Sequence, residues 1–130
     1  MPALGSKPSR RVVLADDDES ARVLYGTGLE LDGFTVVLAS DGEEALASLE
    51  RGSPDVLVLD VDMPDLSGVE VLRRLRTGDE GAQLPVVMLT NVIDLSMHDE
   101  SRKLGAVWVE KYRTTPHQLA EIVRSVLGSG

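Results

Sequence analysis

The chain has 130 residues, 42% of them hydrophobic, and a net charge of −9 from 13 basic and 22 acidic side chains. This length and composition predict one globular domain, and the acidic excess argues against nucleic acid as the main partner. No cysteine is present, which excludes disulfides and thiolate chemistry, and no run is apolar enough for a signal peptide or a membrane span. We therefore expect a cytoplasmic protein without a membrane segment.

Five short strand-forming runs, each followed by a helical pattern, make up the chain from residue 11 to residue 127. We expect these residues to form the domain, with a flexible arm at residues 1–10 and a flexible end at residues 128–130. The runs lack polar alternation, which is typical of parallel strands that are covered on both faces. The predicted strands are residues 11–15, 34–39, 55–60, 85–90 and 106–110.

The first helix follows Asp17 and Asp18, which offer cap oxygens and favourable charge at its N-terminus. Its interior contains two glycines, each of which lowers helix stability by about 1 kcal/mol relative to alanine. Three-to-four spacing predicts its buried face, which consists of Ala21, Leu24, Tyr25, Gly28 and Leu31.

Later helices begin at similar signals. Ser40 or Asp41 caps the second helix, and Thr115 caps the last one, with Pro116 at its first position. A basic cluster in the third helix is interpreted as a solvated face. Its members are Arg73, Arg74 and Arg76.

Alternation of strand and helix five times predicts an α/β protein with a five-stranded parallel sheet. Right-handed crossovers place helices on both faces of that sheet, which makes an open, doubly wound (βα)5 arrangement the natural architecture. In such folds, sites form in the crevice at the carboxyl ends of the strands. Polar residues that follow the strands are therefore the candidates for function.

Three carboxylates, one hydroxyl and one ammonium group follow the carboxyl ends of four predicted strands. Clustered carboxylates raise each other's ionisation cost, so their convergence is best explained by a bound divalent cation. Mg²⁺ takes oxygen ligands and is commonly held by one or two carboxylates together with a substrate phosphate. The five residues are Asp16, Asp17, Asp60, Thr90 and Lys111.

Other metals fit the sequence less well. It contains no EF-hand loop for Ca²⁺. His98 and His117 are not near the acidic cluster in sequence and are interpreted as solvated helix residues rather than zinc ligands. With Mg²⁺, phosphoryl transfer is the natural chemistry. Asp60 would attack phosphorus to form an acyl phosphate, and Mg²⁺, Lys111 and the Thr90 hydroxyl would stabilise the phosphoryl oxygens.

Four segments of the chain form a recognisable set, which consists of residues 12–18, residues 60–68, residues 87–90, and Gly105-Ala106 leading to Lys111. In their order and spacing, these segments resemble the receiver domains of two-component response regulators. The resemblance spans about residues 11–127, and the motifs are specific only in combination. It implies the flavodoxin-like strand order 2-1-3-4-5.

The resemblance implies roles for the acidic residues. Asp16 and Asp17 correspond to the acidic pair that organises Mg²⁺, with Asp17 as the more direct ligand. Asp60 corresponds to the phosphoacceptor, which also contacts the metal. Asp62 lies where the family usually offers a backbone carbonyl to the metal.

Other positions correspond to the family's switch or depart from its pattern. Thr90 would be the switch hydroxyl, and Lys111 the lysine that stabilises the phosphoryl group. Trp108 is at the switch-aromatic position, where it also fits plain packing. Asn91 replaces a small residue, and Val92 is apolar where some members place a polar group that positions water. We hypothesise that Val92 slows hydrolysis of the acyl phosphate.

Tyr112 follows Lys111, where family members usually have proline. A cis peptide bond before a residue other than proline costs about 2.5–4 kcal/mol. The path of this loop, and with it the direction of the Lys111 side chain, is left open by the sequence.

The resemblance also implies partners. The phosphoryl donor would be a phosphohistidine on a sensor histidine kinase or a histidine phosphotransfer protein. Phosphorylation would change the face made by the fourth helix, fifth strand and fifth helix, which would contact a protein effector or form a homodimer. Apart from its own phosphorylation and dephosphorylation, the domain would not be an enzyme.

Two alternatives stay open on the sequence alone. Asp60-Val61-Asp62 also fits the start of haloacid-dehalogenase-like phosphatases, although the acidic pair precedes it and the chain is short for a substrate-selecting cap. A receiver-like interaction module that works without phosphorylation is the other alternative. Asn91, Trp108 and Tyr112 keep that interpretation open.

Overall fold

The computed structural model describes residues 9–52, 54–79 and 81–128. The expected N-terminal arm, apart from residues 9 and 10, and the last two residues of the chain lie outside these ranges. Strands and helices alternate along the chain. They are β1 (Arg11–Ala15), α1 (Glu19–Leu31), β2 (Thr35–Ala39), α2 (Gly42–Arg51), β3 (Val56–Leu59), α3 (Gly68–Thr77), β4 (Val86–Thr90), α4 (Leu95–Lys103), β5 (Val107–Glu110) and α5 (Pro116–Val126).

The five strands form one parallel sheet in the order β2-β1-β3-β4-β5, which confirms the predicted doubly wound fold. Apart from Arg11, every residue of the three inner strands is buried. The expectation that all strands are covered on both faces is wrong for β2 and β5, which include exposed and half-buried residues. These strands lie at the sheet edges, where a strand has a neighbour on one side only and the helices cover less of it.

The helices divide the core into two halves. α1 and α5 pack together on one face of the sheet, where Leu14 and Val58 of the inner strands meet Leu29 and Leu119. α2, α3 and α4 cover the other face, where side chains such as Leu57 are buried. Within the described part of the chain, no helix is long and apolar enough to cross a bilayer.

The buried face of α1 differs from the predicted one. Ala21, Tyr25 and Leu29 form an i, i+4, i+8 stripe against the sheet, whereas Leu24 is 46% and Leu31 84% exposed. Relative to the observed buried face, the predicted one is therefore rotated by about one residue toward solvent. Both stripes satisfy a three-to-four spacing, and only the packing of α1 between the sheet and α5 decides between them.

Capping follows the predicted signals closely. Asp18 accepts a hydrogen bond from the backbone of Ser20 at the start of α1, and Asp41, rather than Ser40, caps α2. Thr115 and Gln118 form a reciprocal capping box at the start of α5, with Pro116 in its first turn. These caps fix where each helix begins and therefore the lengths of the loops that follow the strands.

The basic cluster of α3 is solvated only in part. Arg73 and Arg74 are exposed and pair with acidic side chains of their surroundings. Arg76 is half-buried and donates hydrogen bonds to the carbonyl oxygens of Gly81 (2.9 Å), Leu84 (2.7 Å) and Leu104 (2.7 Å). The interpretation as a solvated face is wrong for Arg76, because its guanidinium satisfies carbonyl groups of two loops.

Candidate functional site

Two acidic residues extend the line of β1 at the carboxyl edge of the sheet. Asp16 continues the strand ladder, since its N–H donates to the carbonyl of Ala39 at 3.0 Å. Its side chain is 2% exposed, and Oδ1 accepts a hydrogen bond from the N–H of Asp18 at 2.9 Å. The guanidinium of Arg22 donates to the Asp16 carbonyl at 2.7 Å, which holds the turn before α1. Asp17, one residue further on, is exposed.

Asp60 occupies the equivalent place after β3. Its N–H donates to the carbonyl of Ala15 at 2.9 Å, and the residue is 4% exposed. The N–H of Asp62 lies 3.4 Å from Asp60 Oδ1, and the Asp62 residue itself is exposed. Gly68 packs against this turn so closely that a Cβ atom would overlap the carbonyl of Asp60. The glycine at this motif position therefore lets α3 approach the strand end that carries Asp60.

Lys111 joins these two strand ends. Its Nζ lies 2.7 Å from Asp16 Oδ2 and 3.2 Å from Asp60 Oδ2, and the residue is 6% exposed. Its N–H donates to the carbonyl of Thr90 at 2.9 Å, which extends the β4–β5 ladder. The described chain has no cis peptide bond, and Tyr112 instead adopts a φ of 68°. The lysine thus reaches the site by a loop path different from a cis Lys–Pro turn.

Burial and charge act against each other in this cluster. Burial raises the pKa of Asp60 to about 6, the charge of Asp16 adds to this rise, and Lys111 opposes it. Burial by itself lowers the pKa of Lys111, but its hydrogen bond to Asp16 and the charge of Asp60 outweigh burial and raise that pKa. Lys111 is therefore an ammonium group at neutral pH, held between two carboxyl groups.

The carboxylates also fit a divalent cation. One oxygen from each of Asp16, Asp17 and Asp60 lies within 4.8 Å of the others. Hard oxygen donors of this kind suit Mg²⁺, which keeps several waters and needs few protein ligands. Because Asp17 is exposed, the cluster is open to solvent on one side, where water and a phosphoryl group have access.

Thr90, Asn91 and Val92 lie beside this cluster at the end of β4. The Thr90 residue is buried, and its Oγ1 accepts a hydrogen bond from the N–H of Val92 at 3.1 Å. Asn91 is exposed, and Val92 is half-buried against the core. All three line a cavity of about 480 Å³ that also reaches Lys111. Next to β4, the lining of the cavity therefore includes one apolar side chain, Val92, beside the polar side chain of Asn91.

Trp108 of β5 borders the same cavity. It is half-buried, and its ring packs against His98 of α4, with centroids 5.0 Å apart and ring planes at 38°. His98, interpreted from the sequence as a solvated residue, is exposed but makes this aromatic contact. Trp108 therefore connects the cavity next to Lys111 with α4, which is a packing role in this state of the protein.

The hydrogen bonds of two tyrosines near the site were not predicted from the sequence. The hydroxyl of Tyr25 accepts a hydrogen bond from the N–H of Tyr112 at 2.9 Å and donates one to the carbonyl of Thr114 at 2.8 Å. The hydroxyl of Tyr112 lies 3.1 Å from Asp18 Oδ2. A tyrosine in an otherwise apolar stripe was the one signal for the first contact, because a buried hydroxyl needs a partner.

Known proteins are similar to most of this chain in sequence. The family model described as the response regulator receiver domain matches residues 12–124. The response regulator MprA of Mycobacterium leprae (strain TN) is 39% identical over 117 residues, which are 89% of this chain and 49% of that protein. The alkaline phosphatase synthesis transcriptional regulatory protein PhoP of Bacillus subtilis (strain 168) is 43% identical over 114 residues, 88% and 45% of the two chains. The chain spans about half the length of these curated relatives.

Solved structures give the same result for the fold. The chemotaxis protein CheY4 of Vibrio cholerae, crystallised at low pH, superposes with a TM-score of 0.83 at 28% identity, covering 92% of this chain and 99% of that chain. A response regulator receiver domain protein from Clostridium thermocellum has a TM-score of 0.83 at 27% identity, covering 92% and 95%.

Proposed function

Since this chain belongs to the family of response regulator receiver domains of two-component signalling, we propose that Asp60 accepts a phosphoryl group from a phosphohistidine. The observation that carries this proposal is the pair of contacts from Lys111 Nζ to Asp16 and Asp60 beside the three-carboxylate cluster. A buried carboxylate next to a fixed ammonium group is suited to act as a nucleophile on phosphorus.

In the proposed reaction, an oxygen of Asp60 attacks the phosphorus atom of the phosphohistidine. The P–N bond breaks, its electron pair stays on the imidazole nitrogen, and that nitrogen takes up a proton as the donor leaves. The ammonium group of Lys111 is already beside Asp60 and would stabilise negative charge on the phosphoryl oxygens. Because this charge is placed before the reaction, the protein does not have to reorganise to supply it.

Mg²⁺ is part of the proposal. The side chains of Asp16, Asp17 and Asp60, together with the backbone carbonyl of Asp62, would hold it. Bound there, it would supply positive charge to the phosphoryl oxygens. The oxygen-only donor set and its open side support this assignment.

The residues at the end of β4 would govern the conformation and the lifetime of the phosphorylated protein. The Thr90 hydroxyl, which accepts the N–H of Val92 here, would turn to donate to a phosphoryl oxygen. Trp108 would repack with it, because the two residues border the same cavity. Asn91 and Val92 would tune the lifetime of the acyl phosphate, with Val92 slowing hydrolysis because it offers no polar group to hold the attacking water.

The chemistry also implies the partners. The donor would be a sensor histidine kinase or a histidine phosphotransfer protein of the cytoplasm, and the output would be a changed contact with a protein effector. Exposed Leu95 of α4 and Val107 of β5 lie on the face proposed to change. A homodimer through α4, β5 and α5 is the alternative use of that face.

The test is direct phosphorylation by a small donor. The protein would be incubated with acetyl phosphate and Mg²⁺, and its intact mass recorded alongside Asp60→Asn and a sample with EDTA. We expect a mass gain of one phosphoryl group that needs both Asp60 and Mg²⁺. A wild-type protein that gains no mass from acetyl phosphate or from a phosphohistidine donor would overturn the proposal and favour an interaction module.

The lifetime hypothesis has its own test. Val92→Glu places a polar group beside the cavity, and we expect it to speed dephosphorylation several-fold, because the carboxylate can orient water. Val92→Leu is the matched apolar control and should leave the lifetime near that of the wild type. Equal dephosphorylation rates for Val92→Glu and wild type would refute the role of Val92.

A further inference from the structure

The loop between β5 and α5 carries Lys111 and has an uncommon backbone. Tyr112 lies in the left-handed region at a φ of 68°, which residues other than glycine, asparagine and aspartate rarely adopt. Lys111 and Thr114 form an isolated parallel bridge, with a tight turn at the two residues between them. Such a turn needs an external partner to hold it, since the backbone at Tyr112 does not favour it.

Tyr25 provides that partner from α1. Tyr25 is 1% exposed, and its ring is fixed in the core between the sheet and α5. Its hydroxyl accepts the N–H of Tyr112 and donates to the carbonyl of Thr114, so that one oxygen atom holds both sides of the turn. A phenolic hydroxyl has one donor and two acceptor sites, and this use matches that capacity.

The position of Lys111 depends on the same contact. On its N-terminal side, the Lys111 N–H is held by the carbonyl of Thr90 at 2.9 Å. On its C-terminal side, the next N–H along the chain is the one held by Tyr25. The direction of the lysine side chain toward Asp16 and Asp60 is therefore set between a strand contact and the Tyr25 hydroxyl.

We propose that Tyr25 is a positioning residue for Lys111 in phosphoryl transfer. It fixes a loop in which Tyr112 stands where family members usually have proline. This inference rests on the proposed function for its kinetic part. Its structural part, the hold of Tyr25 on the loop, stands without it. Separate measurements on Tyr25→Phe distinguish the two parts.

The first experiment measures the hold of Tyr25 on the loop. Tyr25→Phe keeps the buried ring and removes the hydroxyl. We expect amide hydrogen exchange at Tyr112, measured by NMR without metal, to become at least tenfold faster, because this amide belongs to an exposed residue and loses its acceptor. Val123→Ala in α5 is the control for a general loss of stability, because it removes buried core contacts without changing Tyr25. It should leave exchange at Tyr112 within about twofold of wild type. Unchanged exchange in Tyr25→Phe overturns the proposal.

The second experiment measures whether Tyr25 acts through Lys111. Phosphorylation by phosphoramidate with Mg²⁺ should be about tenfold slower in Tyr25→Phe than in wild type or Val123→Ala. Mg²⁺ affinity, read from Trp108 fluorescence, should stay the same or tighten, because a displaced ammonium group no longer repels the cation. General damage to the fold would weaken Mg²⁺ binding instead.

A double-mutant cycle decides the mechanism. If Tyr25 acts through Lys111, adding Tyr25→Phe to Lys111→Ala should change neither the phosphorylation rate nor the Mg²⁺ affinity further. If the double variant loses rate by the product of the two separate losses, the proposal is overturned. It is also overturned if Tyr25→Phe is phosphorylated at the wild-type rate. If the wild type takes no phosphoryl group, the proposed function fails, and amide hydrogen exchange at Tyr112 alone decides whether Tyr25 holds the loop, with unchanged exchange in Tyr25→Phe refuting it.

Discussion

At the scale of single residues, the carboxyl group of Asp60 links the site to stability. Burial raises its pKa from 3.8 to about 6, so the native protein binds this proton more tightly than the unfolded chain. The free energy of unfolding therefore falls as pH rises through this interval, and the contribution of the protonated group is complete only below it. At neutral pH, without metal, the ionised Asp60 opposes folding.

Asp60→Asn removes this charge and keeps the shape of the side chain. We predict that, with EDTA at pH 7, it raises the free energy of unfolding by about 3 kcal/mol, and that the gain shrinks toward pH 4. Urea unfolding at several pH values measures both effects. Asp79→Asn, a change of an exposed aspartate after α3, is the control for lost charge. A gain that stays constant across the pH range would contradict this account.

The backbone of Tyr112 gives a second residue-scale prediction. Tyr112→Pro restores the residue usual in the family, yet proline cannot adopt a φ of 68° and lacks the N–H that Tyr25 accepts. Tyr112→Gly permits this φ and keeps the N–H. We predict that the free energy of unfolding of the proline variant is about 2 kcal/mol lower than that of the glycine variant. Chemical denaturation of the two proteins tests this, and equal stability would show that the loop does not need its present path.

At the scale of elements, the contact between α1 and α5 depends on a glycine within a helix. A Cβ atom on Gly28 would overlap the side chain of Pro116. Gly28→Ala gains up to about 1 kcal/mol in helix propensity, but overpacking typically costs about 1–3 kcal/mol. We predict a net loss of roughly 1–2 kcal/mol in the free energy of unfolding. Thr27→Ala, at an exposed neighbouring position, should change it by less than about 0.5 kcal/mol. A stabilised Gly28→Ala protein would contradict the packing argument.

The same helix shows what the sequence can and cannot predict. Periodicity, capping residues and glycines locate α1, but Leu24 and Tyr25 satisfy the helical spacing equally well. Which of them is buried depends on Pro116 and the sheet, which are distant in sequence. Likewise, nothing next to Lys111 in the sequence indicates that the hydroxyl of Tyr25 holds its loop.

At the scale of the whole molecule, the candidate site was predictable because the fold itself assembles it. Parallel strands present their carboxyl ends at one edge, so Asp16, Asp60, Thr90 and Lys111 meet there although they are far apart in the chain. That these residues are neighbours could be predicted from their positions at the ends of the strands alone. The distances and the balance of charge between them depend on three-dimensional packing.

This assembly predicts that folding and Mg²⁺ binding are coupled. The carboxylates of Asp16, Asp17 and Asp60 lie within 4.8 Å of one another only in the folded chain, so Mg²⁺ should bind the native state alone. At a Mg²⁺ concentration of 100 times Kd, this stabilises the protein by about 2.7 kcal/mol. For a domain of this size, the melting temperature should rise by roughly 10 °C.

Thermal unfolding at pH 7, with EDTA or with Mg²⁺, measures this shift. Asp17→Asn removes one exposed carboxylate of the cluster, so it should fold normally and lose most of the Mg²⁺-dependent rise in melting temperature. Asp79→Asn, which changes the net charge equally, should keep the full rise. If both variants respond to Mg²⁺ as the wild type does, the cation stabilises the protein by general screening and not at this site.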